Sequence, residues 1–334
     1  MHSRTGALMK ALLHVSCLLG MLQSIQVFAA QPELRDSAVI VALAQAPAAG
    51  RSPAAHFDLK PAPWLVKLPE GFSLGSCSAV SVNSKGEVFL FHRGDHPIIC
   101  LAADGKYLRS WGDKIVDTAH GLRIDREDNV WITDIGGHRV LKFSPKGKLL
   151  LALGTGKPGT GVDQFDKPTD VAFGPRGEVY VSDGYGNARV MKFTPGGRFI
   201  KSWGKPGKGK GEFNLPHSII VDSRGRVLVG DRENNRVQIF DGEGALLDIW
   251  EGFAPYGLAF DHQGRLFVAD GRASQVLRLG QDGKVKQAWG KKGKAPGEFN
   301  LPHMLSFDAA GNLFVAEVGG MRLQKFTLKK RVAP

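Results

Sequence analysis

The chain contains little cysteine: Cys17, Cys77 and Cys100 are the whole supply in 334 residues. So small a number excludes a disulfide-rich scaffold, in which several bridges hold an exported chain together. Cys17 lies in an N-terminal segment that export would remove, which leaves one pair. An exported pair invites a disulfide, but two thiols on strands of one sheet, two strands apart and offset, disfavour that bond.

Long hydrophobic runs are also scarce. The run from Ala11 to Leu22 is shorter than the roughly 18 to 20 apolar residues that span a bilayer, and no later run approaches that length, so we expect no membrane span. The run follows Arg4 and Lys10 and precedes the small residues Ala29 and Ala30. This pattern is typical of a secretory signal peptide. We therefore predict a signal peptide over residues 1–30 and a secreted or periplasmic mature protein.

Acidic residues are outnumbered, with 32 Asp and Glu against 44 Lys and Arg and a formal net charge of +12. Residues 1–30 carry two basic side chains and no acidic one, so the mature chain keeps a charge of +10. A basic chain favours acidic partners. The lysines, however, lie mostly in turns such as KPGKGKGEF and KKGKAPGEF. Because no basic helix or stacked aromatic surface accompanies them, we expect no nucleic-acid partner.

Helix-period patterns are missing beyond the N-terminal segment, and short strands take their place. Six copies of one pattern follow a Pro/Ala-rich stretch: an apolar strand, a polar turn ending in Gly, two further strands and often Trp-Gly. Successive copies are spaced by about 40 to 50 residues, with four short strands each. This pattern predicts an all-β fold, a six-bladed β-propeller. The spacing and the element DRENNRVQIF resemble NHL-repeat propellers.

The ends of the repeat array predict how the ring closes. The last copy lacks its fourth strand, whereas PWLVKLP, from Pro63 to Pro69, precedes the first copy without a blade of its own. We predict that this N-terminal strand completes the last blade and leaves no free sheet edge. The predicted organisation is a signal peptide over 1–30, a Pro/Ala-rich linker over 31–63 and a single propeller domain over 64–330. We expect a monomer.

The segment GEFNLPH occurs twice, ending at His217 and at His303. With the copies aligned on the glycine of the first turn, these residues and His120 occupy one position in blades two, four and six, where the other blades carry Ser, Thr and Tyr. First strands line the central channel of a propeller, so the three imidazoles should converge. Three nitrogen ligands with a fourth position open are typical of a catalytic zinc, and imidazole also accommodates iron, copper or nickel.

The loops between the second and third strands should surround this cluster. An acid and a later arginine recur in them and are predicted to pin each turn: Asp134, Asp183, Asp231, Asp270 and Glu317, with Arg139, Arg189, Arg236 and Arg322. Three residues break the pattern, namely Tyr185, Arg232 and Arg93. A phenol near a cation loses its proton readily and can serve as a base. Guanidinium groups bind carboxylates in a bidentate fork.

The combined motifs resemble peptidyl-α-hydroxyglycine α-amidating lyase, the second enzyme of peptide C-terminal amidation. The resemblance covers residues 65–328 and rests on FHRGDH, HGLRID, PTDVAF, SDGYGNAR, FNLPHS and DRENNRVQ. The resemblance implies a zinc held by His120, His217 and His303. It also implies a catalytic base at Tyr185 and substrate-binding arginines at Arg93 and Arg232.

The family also holds a structural calcium in the channel, through two backbone carbonyls that match Val80 and Leu122 and an aspartate directly after the third zinc histidine. Met304 occupies that last position here. A thioether is a poor ligand for a hard cation, so the resemblance does not carry calcium over as it does zinc.

The resemblance implies an exported metal-dependent lyase that cleaves the C–N bond of an N-acyl or peptidyl α-hydroxyglycine, giving an amide and glyoxylate. The substrate is then a small molecule or a peptide. One alternative is a propeller lactone or ester hydrolase that uses a metal-bound water, although such enzymes more often place acidic and amide ligands around calcium. A second alternative is a non-catalytic NHL-repeat scaffold that binds a protein or polymer on one face.

Overall fold

Six four-stranded antiparallel sheets account for the fold of residues 58–328, the part of the chain that the computed structural model describes. In chain order the strands are β1 (Leu59–Pro61), β2 (Cys77–Val82), β3 (Val88–His92), β4 (Ile98–Leu101), β5 (Tyr107–Trp111), β6 (Ala119–Ile124), β7 (Val130–Asp134), β8 (Arg139–Phe143), β9 (Leu149–Leu153), β10 (Pro168–Phe173), β11 (Val179–Asp183), β12 (Arg189–Phe193), β13 (Phe199–Trp203), β14 (Pro216–Val221), β15 (Val227–Asp231), β16 (Arg236–Phe240), β17 (Leu246–Glu251), β18 (Pro255–Phe260), β19 (Leu266–Asp270), β20 (Gln275–Leu279), β21 (Val285–Trp289), β22 (Pro302–Phe307), β23 (Leu313–Glu317) and β24 (Arg322–Leu328).

The strand order confirms the predicted six-bladed β-propeller. Blades one to five are β2–β5, β6–β9, β10–β13, β14–β17 and β18–β21, and blade six is β22–β24 with β1 at its outer edge. Within residues 58–328 the remaining regular element is a single 3₁₀ turn, Arg232–Asn234. None of the helical structure described there is long and apolar enough to cross a membrane.

The N-terminal strand completes the last blade as predicted, but it is not the strand that the sequence suggested. β1 pairs antiparallel with β24, with Lys60 opposite Thr327. It therefore lies inside the segment predicted as linker, just before PWLVKLP. The apolar residues of PWLVKLP instead pack on the seam between blades six and one, where Trp64 meets Phe314 edge-on at 5.5 Å between ring centroids. These side chains could be buried either in a paired strand or against the seam, and here they cover the seam.

One apolar cluster fills each of the six seams between neighbouring blades. In the seam between blades one and two, Phe89, Phe91 and Phe143 are fully buried. Each such side chain contributes about 1.5 to 3 kcal/mol relative to its exposed state. Cys100 belongs to this seam and Cys77 to the seam between blades six and one, and both are buried free thiols. The two thiols lie in different seams, in keeping with the expectation that their geometry disfavours a disulfide.

Candidate metal and substrate site

A β-bulge interrupts the first strand of every blade at the level of the predicted ligands. Pairing with the second strand shifts by one residue or more at the positions spanned by 77–79, 119–122, 168–170, 216–218, 255–257 and 302–305. A bulge leaves a residue unpaired and re-aims its side chain. His120, His217 and His303 each lie in such a bulge, which turns the three imidazoles toward the channel axis.

The three histidines converge, as their spacing predicted. Their candidate ligand atoms all lie within 4.8 Å of one another. The Nε2 atoms of His120 and His217 are 3.2 Å apart. Ring centroids are 4.7 to 4.8 Å apart with steep interplanar angles of 71 to 76°, so the rings meet edge to face around the axis. We call this cluster the histidine end of the channel.

The blades without histidine hold the imidazoles in place. Each histidine Nδ1 lies 2.6 to 2.7 Å from the backbone carbonyl of the equivalent residue in the next blade. The three pairs are His120 with Thr169, His217 with Tyr256, and His303 with Ser78. Since a carbonyl can only accept, Nδ1 carries the proton in each ring and Nε2 presents its lone pair. Backbone acceptors of this kind commonly orient metal-bound histidines.

Burial holds these imidazoles in the neutral form that binds metals. Desolvation lowers the pKa of His303 to about 3 and lowers the pKa values of His120 and His217 well below 6.5. The charges of Arg93 and Arg232 reinforce the effect on His303. Two neutral Nε2 acceptors 3.2 Å apart have no proton to share. A cation between the lone pairs fits this donor set, so the cluster can bind a metal ion.

Tyr185 lies over the histidine end, in the loop between β11 and β12. Its hydroxyl is 3.1 Å from His120 Nε2 and 3.2 Å from His217 Nε2. Flanking glycines are required here, because a Cβ at Gly184 would lie 2.1 Å from the Pro216 carbonyl oxygen and one at Gly186 would lie 2.0 Å from the Asp166 carboxyl carbon. The two glycines of GYG therefore allow the backbone to pack closely enough for the Tyr185 hydroxyl to contact the histidines.

Arg232 lies beside the same phenol and begins the 3₁₀ turn after β15. Its NH1 donates to the Tyr185 hydroxyl at 3.3 Å, and its guanidinium lies 4.7 Å from the centroid of the Tyr256 ring. The side chain is only 5% exposed. Its Nε donates to Glu233 at 2.8 Å. A buried guanidinium held this way is preorganised to receive a carboxylate.

Arg93 reaches the cluster from the loop after β3. Its Nε donates to the Ala119 carbonyl at 3.1 Å, next to His120, and its positive charge lowers the pKa of His120 and His303. His92 anchors that loop, since its ring contacts the Gly75 amide at 3.1 Å and the His96 carbonyl at 3.2 Å. The structure thus brings together all six predicted residues of this site.

Three residues of the site were not predicted from the sequence. Tyr256 accepts the His217 bond through its carbonyl and stacks its ring against Arg232. Glu233 bridges Arg232 and Arg272, which comes from the matching loop of blade five. The signal for Arg272 was available: like Arg232, it is a basic residue close behind the recurring acid of its loop. No spacing rule pairs the two loops, because the contact crosses between blades.

The recurring acids and arginines pin their turns, as predicted. Nε of Arg189 donates to Asp183 at 2.9 Å, and Arg322 makes the same contact with Glu317 at 2.7 Å. Each of these carboxylates also accepts the backbone amide of the segment that precedes the first strand of its own blade, from Asp166 and Asn300 respectively. The acids therefore build the loops rather than the reactive surface.

The other end of the channel is built differently. Arg123, three residues past His120 on β6, donates to both oxygens of the Asp170 carboxylate at 3.0 and 2.6 Å. Its NH2 also lies 3.9 Å from the sulfur of Met304. Val80 and Leu122, for which the resemblance implies calcium-binding carbonyls, are buried on β2 and β6. We call Arg123, Asp170 and Met304 the arginine end.

Comparisons with known proteins agree with this architecture. The model of the NHL repeat family matches residues 165–193 and 213–240. A peptidyl-alpha-hydroxyglycine alpha-amidating lyase of Drosophila melanogaster is 31% identical over 78% of this chain, and the match spans 58% of that relative's length. NHL repeat-containing protein 3 of Mus musculus is 36% identical over 75% of this chain and 79% of its own.

Among solved structures, a gluconolactonase from Xanthomonas campestris superimposes with a TM-score of 0.58, at 14% identity, over 85% of this chain and 99% of its own. Similarity at this level of identity shows a shared fold alone.

Proposed function

From the premise that this chain belongs to the NHL-repeat proteins, the group that includes the amidating lyases and NHL repeat-containing protein 3, we propose that it is a metal-dependent carbon-nitrogen lyase. Its substrate is an N-acyl or peptidyl α-hydroxyglycine, and its products are an amide and glyoxylate. The observation that carries the proposal is the contact of the Tyr185 hydroxyl with two histidine Nε2 atoms and the Arg232 guanidinium within 3.1 to 3.3 Å.

The proposed cofactor is zinc, held by His120, His217 and His303. Three neutral nitrogen donors would hold such an ion and leave it a coordination position for substrate, which suits a catalytic zinc. Such an ion supplies Lewis acidity and a fixed point of positive charge for the oxygens of the substrate. The carbonyl contacts at Nδ1 keep the three rings in the tautomer that this role needs.

The arginines hold the substrate. We assign its carboxylate to Arg232 and Arg93, whose guanidiniums flank the histidine end and supply a fork of N–H donors. Glu233 and Tyr256 fix Arg232 before substrate arrives, so little side-chain freedom is lost on binding. Because this end is buried, the charge interactions act in a region that excludes much of the water.

Tyr185 is the proposed base. In its deprotonated form its oxygen removes the proton of the substrate hydroxyl, and the C–N bond breaks as the C=O bond of glyoxylate forms. The proton that Tyr185 removed then passes to the amide nitrogen, which restores the phenolate. The neighbouring Arg232 guanidinium stabilises the phenolate. The atoms balance without an oxidant or a second substrate.

The test is to purify the mature protein, determine bound metals by elemental analysis and measure glyoxylate release from α-hydroxyhippurate with and without a chelator. The proposal expects about one zinc per chain and activity that is lost on chelation and restored by zinc. A metal-bound protein that hydrolyses lactones and releases no glyoxylate would place it with the gluconolactonase-like enzymes instead.

Two further proposals accompany this function. Residues 1–30 direct export and are removed, which N-terminal sequencing of the secreted or periplasmic protein would establish; they lie outside the described residues.

A scaffold without catalysis is the second candidate, because the 36% identical relative is named for its repeats alone. That candidate expects a protein without transition metal and without turnover of either substrate class.

A further inference from the structure

Arg123 crosses the channel from blade two. Its Nε and NH2 hold the Asp170 carboxylate of blade three, and NH1 donates to the Leu258 carbonyl of blade five at 3.1 Å. NH2 also faces the Met304 sulfur of blade six at 3.9 Å. Blades two and five lie on opposite sides of a six-membered ring, so one side chain spans the channel.

The partner of this guanidinium extends the network further. Asp170 is fully buried, and besides Arg123 it accepts the backbone amides of Val171 at 2.9 Å and Ile219 of blade four at 3.1 Å. Arg123 itself is 15% exposed. Five of the six blades therefore meet through one ion pair. Bidentate geometry with additional donors is the arrangement in which a buried pair recovers its desolvation cost.

A divalent ion does not fit beside this pair. Hard cations require oxygen ligands, whereas Met304 offers a thioether at the position that the family resemblance matches to an aspartate. A guanidinium nitrogen already lies against that sulfur. A divalent ion placed there would also face a fixed positive charge at contact distance, and the available carboxylate is already bound at both oxygens.

We propose that the Arg123 guanidinium is a tethered cation that takes the place of a channel calcium ion, so that the ring closes at this end without a divalent metal. The proposal is independent of the lyase activity, because its tests measure calcium content and unfolding. A tethered cation cannot be removed by chelation or dilution, and closure of the propeller then no longer depends on the calcium concentration outside the cell.

The decisive measurement uses the unaltered mature protein. It is stripped of metal and reloaded with zinc alone, or with zinc and millimolar calcium, and the calcium content and the midpoint of thermal unfolding are then determined. The proposal expects no stoichiometric calcium and midpoints equal within about 1 °C. Stoichiometric calcium together with a calcium-dependent midpoint would overturn it.

Variants test the exchange directly. Arg123→Ser should lower the midpoint by about 10 °C with or without calcium, because it leaves a buried carboxylate unpaired. Arg123→Ser combined with Met304→Asp should regain stability only with calcium, by about 5 °C or more, since the channel then offers carboxylate and carbonyl oxygens. Arg126→Ser, at an exposed arginine three residues away, is the matched control; it loses only a solvent-exposed bond to the Pro175 carbonyl and should shift the midpoint by about 2 °C or less.

The outcomes separate cleanly. An Arg123→Ser protein as stable as the unaltered chain would contradict the proposal, as would a double variant indifferent to calcium. If Arg123→Ser fails to fold, recovery of the double variant in calcium supports the proposal, and failure of both in calcium counts against it. The calcium content of the unaltered protein decides the matter even without the variants.

Discussion

The two ends of the channel handle positive charge in opposite ways. At the histidine end, three neutral imidazoles direct lone pairs toward one point and carry no charge of their own. At the arginine end, the cation is part of the chain and its carboxylate partner is buried beside it. The first arrangement suits an ion that arrives from solution, whereas the second suits a charge that never leaves.

This difference separates chemistry from architecture along a single channel. An ion with an open coordination position can contact substrate. The Arg123 guanidinium cannot, because its N–H groups are already bonded to Asp170 and Leu258. Variants at the histidine end should therefore change metal content and turnover more than stability. Variants at the arginine end should do the reverse.

The largest expected effect comes from His217→Ala. Removal of one nitrogen donor leaves a metal site with two, and the loss of several kcal/mol of Lewis-acid stabilisation corresponds to a decrease in glyoxylate release of about 1,000-fold. Bound zinc, measured by elemental analysis, should fall in parallel while circular dichroism still reports the all-β fold. His262→Ala, at an exposed histidine in a turn, is the control. A variant that keeps both zinc and activity would remove the metal from the mechanism.

Tyr185→Phe should break the chemistry and spare the metal. Loss of a positioned base reduces turnover by about 100- to 1,000-fold, while the three imidazoles and the bound zinc remain. Tyr180→Phe is the matched control in the same blade, because its hydroxyl contacts the Gly242 carbonyl far along the chain rather than the histidine end. Unchanged turnover in Tyr185→Phe would show that another group takes the proton.

The repeats were sufficient to predict the fold and the register of the histidines. Blade number, the alternate placement of the ligands and the pinning role of acids such as Asp183 all follow from spacing, because each blade repeats the same local contacts. The prediction that an N-terminal strand closes the last blade is confirmed, but the sequence indicated the wrong segment. PWLVKLP is as apolar as a strand, and its apolar side chains cover a seam between two blades. Spacing cannot distinguish these two ways of burying the same side chains.

Contacts between blades were the part that the sequence could not predict. The Arg123–Asp170 pair, the Leu258 acceptor and the Glu233 bridge to Arg272 join residues separated by 39 to 135 positions. None repeats from blade to blade, so no periodicity reveals them. Met304 was visible in the sequence, but its contact with the Arg123 guanidinium became clear only from the structure.

Arg232→Lys compares an arginine at the histidine end with Arg123 at the other. A lysine keeps the charge and loses the bidentate fork, which should raise KM for α-hydroxyhippurate and lower kcat/KM by about 10- to 100-fold with little change in the unfolding midpoint. Arg224→Lys, at an exposed turn, is the control. A large fall in stability with KM unchanged would instead give Arg232 the architectural role that we propose for Arg123.

The smallest expected effect is on the pH dependence of the free energy of unfolding, and it is measured on the metal-free protein. Burial lowers the pKa of His303 to about 3 in the folded state, against 6.5 when exposed. Between these values the unfolded chain binds a proton that the folded chain does not, so this residue reduces the free energy of unfolding as pH falls below 6.5 and has no such effect above it.

His303→Gln removes that one titration and leaves the carboxylates unchanged. Between pH 6 and pH 4, the free energy of unfolding of the metal-free variant should therefore fall less steeply than that of the unaltered chain, by about 1.4 kcal/mol per pH unit. Urea unfolding at several pH values measures both slopes. Equal slopes would mean that His303 takes up its proton while folded, and the histidine end would then carry a charge of its own before any metal arrives.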